Sequence, residues 1–113
     1  MQAKSLEERK RESDLMLKKY PGRCCIYVEK RETCKTIENL SKQKFLIPQD
    51  IQIDQFICMI RNRLEIGQAE GLFFYVKKNR LINGSKPIGD LYKKYKSSDN
   101  FLYITYASEN CFG

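Results

Sequence analysis

Apolar residues recur along this chain with two different periods. In the segment IQIDQFICMIRNRLEIG (51–67) they occupy positions 53, 56, 57, 60 and 64. This i, i+3, i+4, i+7 spacing puts them on one face of a helix, and Gly67 is typical of a helix end. In RCCIYVEK (23–30) the period is two instead. Cys24, Ile26 and Val28 alternate with Cys25, Tyr27 and Glu29, which predicts a strand with two distinct faces.

The remaining segments add two helices and three strands. Ser5 and Glu8 have the spacing of a capping box and begin a helix that ends before Pro21. Apolar runs predict strands in KFLIP (44–48), GLFFYVKK (71–78) and FLYITYAS (101–108), and the second of these is expected to be buried on both faces. The segment NRLINGSKP is rich in turn residues, and Ser85 with Pro87 begins a short helix.

The order helix, strand, strand, helix, strand, short helix, strand predicts an α+β fold. The first two strands are expected to form a hairpin, and the long helix then packs on one face of a four-stranded mixed sheet. This is the β-grasp arrangement of ubiquitin-like proteins, here preceded by an N-terminal helix. We expect an N-terminal helical extension (1–22), a β-grasp domain (23–108) and a flexible C-terminal tail (109–113).

Composition narrows the classes of function. The 113 residues suit one domain, and the net charge of +7 favours an acidic partner, such as nucleic acid, an anionic membrane surface or an acidic protein. The chain has no histidine, which removes Cys-His and Ser-His catalysis and histidine-containing metal sites. We expect a protein that is not an enzyme and that binds no metal or cofactor. No segment approaches the length of a membrane span.

The cysteines are expected to be structural or incidental rather than reactive. They are Cys24, Cys25, Cys34, Cys58 and Cys111, an odd number without a CxxC spacing. This pattern argues against a disulfide framework and favours a reducing compartment. Cys58 falls among the core positions of the long helix, where we expect a buried thiol.

The strand KFLIP ends in Pro48, which suits the edge of a sheet. The unpaired backbone groups of an edge strand can pair with an extended peptide, and the neighbouring side chains can form pockets for that peptide. The residues alone favour a plainer role, in which Phe45 and Ile47 fill the core. Both interpretations stay open at this point.

A basic surface is a second candidate for function. Most of the excess positive charge lies between Arg61 and Lys96, where it includes VKKNR (76–80). Such residues can bind phosphates or simply form a solvated surface. GLFFYVKK partly matches the RNA-contacting strand of RNA-recognition domains, but it lacks the leading basic residue and the second small one. A small basic RNA-binding module is therefore an alternative function.

The C-terminal residue, Gly113, is a third candidate. A terminal glycine has no Cβ, so an extended tail that ends in it can enter a narrow enzyme channel. Its carboxylate can then be adenylated, passed to thiols as a thioester and delivered to an amine. Some chains end on glycine by chance, but after a ubiquitin-like fold such an ending predicts conjugation.

Several segments resemble one known family. They are EERKRES, KFLIPQD, QFICMIRNRL, LFFYVKKN and DLYKKYKSSDNFLYITYASENCFG. In order and spacing, from about Leu6 to Gly113, they resemble the lipid-conjugated autophagy ubiquitin-like modifiers, the family that includes GABARAP. The resemblance implies that activating and conjugating enzymes join Gly113 to phosphatidylethanolamine, and that a cysteine protease reverses the conjugation. Such a protein is cytoplasmic, and lies on the autophagosome membrane when lipidated.

The resemblance also implies that receptor peptides of the pattern Trp/Phe/Tyr-x-x-Leu/Ile/Val add a strand beside residues 44–48. The pocket for the aromatic anchor is expected to involve Glu12, Met16, Cys25, Tyr27, Lys44, Leu46 and Phe101. The pocket for the aliphatic anchor is expected to involve Phe45, Ile47, Pro48, Ile51, Phe56 and Met59, with Arg63 nearby for acidic peptide residues.

Some positions depart from the family pattern. The family usually has more residues before the first helix. Cys25 stands where proline is usual, and Tyr27 stands where a smaller aliphatic residue is usual. The larger ring is expected to narrow the aromatic pocket and to change the peptide preference. A ubiquitin-like interaction domain that is never conjugated is a further alternative function.

Overall fold

The structure, a computed structural model, describes residues 4–35, 37–65, 71–77 and 79–109. In these ranges the helices and strands are, in chain order, α1 (Leu6–Lys19), β1 (Arg23–Lys30), β2 (Lys44–Pro48), α2 (Ile53–Leu64), β3 (Leu72–Val76), β4 (Arg80–Leu81), α3 (Ile88–Tyr95) and β5 (Phe101–Ser108). All three helices and all strands except β4 are those that the sequence predicts.

The strands form one mixed sheet in the order β2-β1-β5-β3-β4. β1 and β2 form an antiparallel hairpin, as predicted, and β1 lies parallel to β5 at the centre of the sheet. β3 pairs antiparallel with β5 on the other side. The long helix α2 connects the hairpin to β3. The predicted α+β class and β-grasp arrangement are therefore confirmed.

The predicted number of strands is wrong by one. β4 has two residues and pairs antiparallel with β3, with Leu81 opposite Tyr75 and Arg80 opposite Val76. In the sequence this strand lies inside the turn-rich segment NRLINGSKP, and two residues are too few for an alternating pattern to show. β4 extends the sheet at the edge opposite to β2.

α2 packs its apolar face on the sheet. Its buried residues, Ile53, Phe56, Ile60 and Leu64, belong to the main core together with inward-facing residues of β1, β3 and β5. The predicted face of this helix is thus confirmed. The helix ends at Leu64, because Glu65 adopts a left-handed conformation with φ of 54°. Gly67, the predicted helix end, lies outside the described residues.

The other face of the sheet is partly covered by α1. Cys25 and Tyr27 of β1 form a second cluster with Phe101 of β5, and Met16 and Leu17 of α1 pack against it. The alternate β1 residues belong to the main core. β1 is therefore buried on both faces, and its predicted alternation is confirmed. α1 begins as the sequence predicts, with the Ser5 hydroxyl accepting a hydrogen bond from the backbone N–H of Glu8 at 3.1 Å.

Two expectations about the cysteines are wrong. Cys58 is exposed, because a helix turns by about 200° over the two residues that follow the buried Phe56. Cys34 is disulfide-bonded, although the sequence argues against disulfides. Cys24 and Cys25 are buried, and burial raises the pKa of each thiol to about 11.

Candidate functional site

The edge strand β2 carries the candidate site. It pairs with β1 on one side, and no strand in the described part of the chain pairs with its other side. Lys44 and Leu46 lie opposite Tyr27 and Cys25 of β1 and are half-buried on the α1 side of the sheet. The alternate side chains of β2 face α2. The open edge can therefore accept an additional strand, with side-chain pockets on both faces of the sheet.

We use the name aromatic pocket for the residues predicted to receive the first peptide anchor, which the structure brings together on the α1 side: Glu12, Met16, Cys25, Tyr27, Lys44, Leu46 and Phe101. Cys25 and Phe101 are fully buried, and Tyr27 is 6% exposed. Met16 and Leu46 pack against these three residues. The pocket thus has an apolar floor.

Charged residues form one part of the aromatic pocket. Glu12 of α1 accepts hydrogen bonds from Lys44 Nζ at 2.7 and 3.1 Å and from Lys4 Nζ at 2.9 Å. Burial alone would raise the pKa of the Glu12 carboxyl, but the hydrogen bonds from the two lysines outweigh it and lower this pKa. Glu12 is therefore ionised at neutral pH and ties α1 to the edge strand.

Asp99 holds α1 over the aromatic pocket. Its buried carboxylate accepts hydrogen bonds from Arg9 Nε at 2.9 Å, from the backbone N–H of Phe101 at 2.9 Å and from the hydroxyl of Tyr103. The Ser13 hydroxyl donates to the Asp99 carbonyl oxygen at 2.6 Å. Burial would raise the pKa of this carboxyl, but the hydrogen bonds to it prevail and lower the pKa. Arg9 and Ser13 of α1 are thus bound to Asp99, which lies just before β5.

Sequence reasoning did not identify Asp99 as part of the site. The sequence suggests only a turn in SSDN (97–100). Asp99 is a residue type that commonly accepts backbone hydrogen bonds in turns, and this local role could have been predicted from the residues. Its pairing with Arg9, at a separation of 90 positions, leaves no local pattern in the sequence.

We use the name aliphatic pocket for the residues predicted to receive the second anchor: Phe45, Ile47, Pro48, Ile51, Phe56 and Met59. Arg63 is predicted to lie nearby, where it would meet acidic peptide residues. The structure brings Phe45, Ile47 and Phe56 into the main core, with Ile51 and Met59 partly buried against it. The rings of Phe45 and Phe56 meet edge to face with centroids 6.1 Å apart. The Arg63 guanidinium lies over the Phe45 ring at 5.3 Å from its centroid.

The plainer interpretation of β2 is also correct for two residues. Phe45 is 4% exposed and Ile47 is 9% exposed, so both contribute mainly to the core. The surface that a ligand could contact on this side therefore comes chiefly from the partly buried Ile51 and Met59. A residue can fill the core and still form the wall of a shallow pocket at its margin.

The strand proposed for RNA contact is largely covered. Phe74 is 1% exposed and Tyr75 is 9% exposed, and the Arg31 guanidinium lies over the Tyr75 ring at 4.4 Å from its centroid. Single-stranded nucleic acid needs exposed aromatic faces on which its bases can stack. The burial of these β3 rings therefore argues against the RNA-binding alternative. Basic residues do line a cavity of about 320 Å³ beside β4 and α3, among them Arg80, Lys86 and Lys94, but its described lining offers no such strand of exposed rings.

The last described residue is Glu109, whose backbone N–H donates to the carbonyl oxygen of Gly71 at 3.1 Å. The predicted conjugation residue, Gly113, lies outside the described residues. Among the residues that are described, no helix is long and apolar enough to cross a membrane. The same part of the chain holds no cluster of three or more cysteine, aspartate or glutamate residues that could bind a metal ion.

Comparisons with known proteins agree on one family. The family model described as "Autophagy protein Atg8 ubiquitin like" matches residues 8–113. Autophagy-related protein 8e of Arabidopsis thaliana is 37% identical over 107 residues, which cover 95% of this chain and 86% of the relative. Autophagy-related protein 8a of the same plant is 36% identical over 108 residues, with coverage of 96% and 87%. The crystal structure of Trypanosoma brucei ATG8 superposes with a TM-score of 0.89 at 31% identity, covering 99% of this chain and 95% of that one.

Proposed function

Because the chain belongs to the Atg8 family of autophagy ubiquitin-like proteins, we propose that it acts through two sites, a conjugated C-terminal glycine and a peptide-docking edge at β2. The family consists of ubiquitin-like modifiers, so the chain is a modifier and not an enzyme. Its general partners are the autophagy machinery and autophagy receptors. The particular partners and the chemistry at each site are part of the proposal.

The docking function is supported above all by the position of β2 between two pockets on opposite faces of the sheet. Successive side chains of an added strand point to opposite faces, so residues i and i+3 of a peptide also do so. A Trp/Phe/Tyr at i therefore reaches the aromatic pocket on the α1 side. A Leu/Ile/Val at i+3 reaches the aliphatic pocket on the α2 side. The x-x spacing of the receptor pattern agrees with this geometry, because an odd separation puts the two anchors on opposite faces.

Charge supports the same partner. Lys44 belongs to the aromatic pocket and Arg63 lies beside the aliphatic pocket, and the chain carries a net charge of +7. Acidic residues around the two anchors of a peptide would be attracted to these cations, which speeds association and favours one orientation. The receptor peptides are thus expected to carry Asp or Glu next to the anchors.

The conjugation function assigns residues 109–113 to a tail that enzymes can reach after the β-grasp domain (23–108), with residues 1–22 as the helical extension. A dedicated activating enzyme and a conjugating enzyme would carry the Gly113 carboxylate as a thioester and transfer it to the amine of phosphatidylethanolamine. A cysteine protease would later hydrolyse the amide. The protein would be cytoplasmic when free and bound to the autophagosome membrane when lipidated.

The conjugation function is tested by reconstitution with the activating and conjugating enzymes of the family and vesicles that contain phosphatidylethanolamine. The intact mass of the wild-type chain should rise by the mass of the lipid minus one water, and deletion of Gly113 should abolish this product. An unchanged mass for the wild type would favour the non-conjugated interaction domain. A lipidated product from the deletion variant would contradict the assignment to Gly113.

A further inference from the structure

We propose that Tyr27 makes the aromatic pocket shallow and selects receptor peptides whose first anchor is phenylalanine over those with tryptophan. This inference rests on the proposed docking function and concerns the class of peptide that the site accepts. A single six-membered ring needs less depth than the two fused rings of an indole.

The Tyr27 side chain forms part of the pocket floor. Tyr27 is opposite Lys44 in the antiparallel pair with β2 and opposite Tyr103 in the parallel pair with β5. It shares the buried cluster of this face with Cys25 and Phe101. A ring at this register position therefore occupies volume that a smaller aliphatic side chain would leave to the ligand.

Two contacts hold the Tyr27 side chain in place. Its hydroxyl donates a hydrogen bond to Gln43 Oε1 at 2.9 Å. Its ring packs on the Tyr103 ring with centroids 5.6 Å apart and planes tilted by 52°. Moving the ring aside for a large anchor would break the hydrogen bond and the aromatic contact. Each loss would reduce the binding free energy for that anchor.

Helix α1, which packs against the pocket floor, is held in place as well. α1 is tied to Asp99 through Arg9 and Ser13, and the Asn100 amide donates to Asp14 Oδ1 at 2.8 Å. The helix therefore resists an outward shift that would widen the pocket. With both the floor and the helix restrained, a bulkier anchor is expected to overpack the pocket, which destabilises the complex.

The experiment compares two peptides that differ only in the first anchor, Asp-Asp-Phe-Glu-Glu-Leu and Asp-Asp-Trp-Glu-Glu-Leu, by isothermal titration of the full chain. The wild type should bind the phenylalanine peptide about tenfold more tightly, in line with the usual penalty for overpacking. Tyr27→Ile should reduce this ratio to less than about threefold or reverse it, because it removes the ring. Tyr27→Phe keeps the ring and loses only the hydroxyl, so it should keep most of the preference.

The outcomes separate this inference from the docking function. Equal affinities for the wild type, or tighter binding of the tryptophan peptide, would overturn the selection by Tyr27 while leaving docking intact. Loss of the preference in Tyr27→Phe would show that ring volume is not its cause. If the wild type binds neither peptide, the docking function itself fails and this inference fails with it. Circular dichroism checks each variant, and Tyr27→Leu replaces Tyr27→Ile if the latter does not fold.

Discussion

Glu12 and Lys44, 32 positions apart in the chain, form an ion pair in which Glu12 Oε1 is 2.7 Å from Lys44 Nζ. The pair joins α1, which precedes the β-grasp domain, to the edge strand of that domain. The N-terminal helix is thus part of the proposed docking site. A second link, at Asp99, also holds this helix in place.

Replacing Asp99 by alanine should lower the free energy of unfolding by about 3 kcal/mol, because it leaves the hydrogen-bond donors around this buried carboxylate without an acceptor. Urea unfolding followed by circular dichroism measures the change. Asp50→Ala is the matched control, since Asp50 is exposed and its loss should change stability by less than about 0.5 kcal/mol. Equal stability of the two variants would mean that Asp99 does not hold the helix.

The same carboxylate predicts how stability depends on pH. The pKa of Asp99 in the folded chain lies below its usual value of 3.8, so the folded state binds this proton less readily than the unfolded state. The resulting stabilisation is complete above about pH 4 and is lost as pH falls through the lower folded value. Unfolding curves from pH 6 down to pH 2 should therefore show a steeper loss of stability for the wild type than for Asp99→Asn. Parallel curves for the two proteins would contradict this role.

Replacing Leu46 by alanine should weaken the binding of the phenylalanine peptide about tenfold, because Leu46 is a partly buried wall of the aromatic pocket. Titration calorimetry gives the affinity. Leu81→Ala is the matched control. Leu81 also lies on an edge strand, but at the opposite edge of the sheet, and it is 50% exposed. If both variants lose affinity equally, the effect does not arise at β2.

The thiols should differ in reactivity toward iodoacetamide. Cys58 is exposed and free, whereas Cys24 and Cys25 are buried, with thiol pKa values raised to about 11. Since the thiolate is the reactive form, the two buried cysteines should remain unmodified in the folded chain at pH 8 while Cys58 is alkylated. Peptide mapping by mass spectrometry reads out each site, and a sample in denaturant provides the control. Rapid native labelling of Cys24 would mean that β1 is more accessible than its packing indicates.

The parts of the fold with a clear local period could be predicted from the sequence. The buried face of α2 follows from the helical spacing of its apolar residues, and the two faces of β1 follow from strict alternation. The same helical period, applied strictly, would also have placed Cys58 outside the core. β4 could not be predicted, since it is a two-residue strand formed by pairing with β3.

The candidate site was predicted in a different way. The local pattern indicated only the edge strand KFLIP. The other residues came from the family resemblance, because the two pockets combine residues of α1, β1, β2, α2 and β5. The pairing of Glu12 with Lys44 and of Arg9 with Asp99 depends on the tertiary fold. No periodicity in the sequence marks such contacts, so only the structure reveals what holds α1 over the aromatic pocket.

The most direct test of the docking function is nuclear magnetic resonance of the 15N-labelled chain during titration with the phenylalanine peptide. If the peptide adds a strand to the sheet, the largest shift changes should fall on residues 44–48 and on the facing part of α1 around Glu12 and Met16. Backbone amides at the open edge of β2 should also become protected from hydrogen exchange. Shift changes confined to β4 and α3, or no changes at a millimolar peptide concentration, would contradict the account.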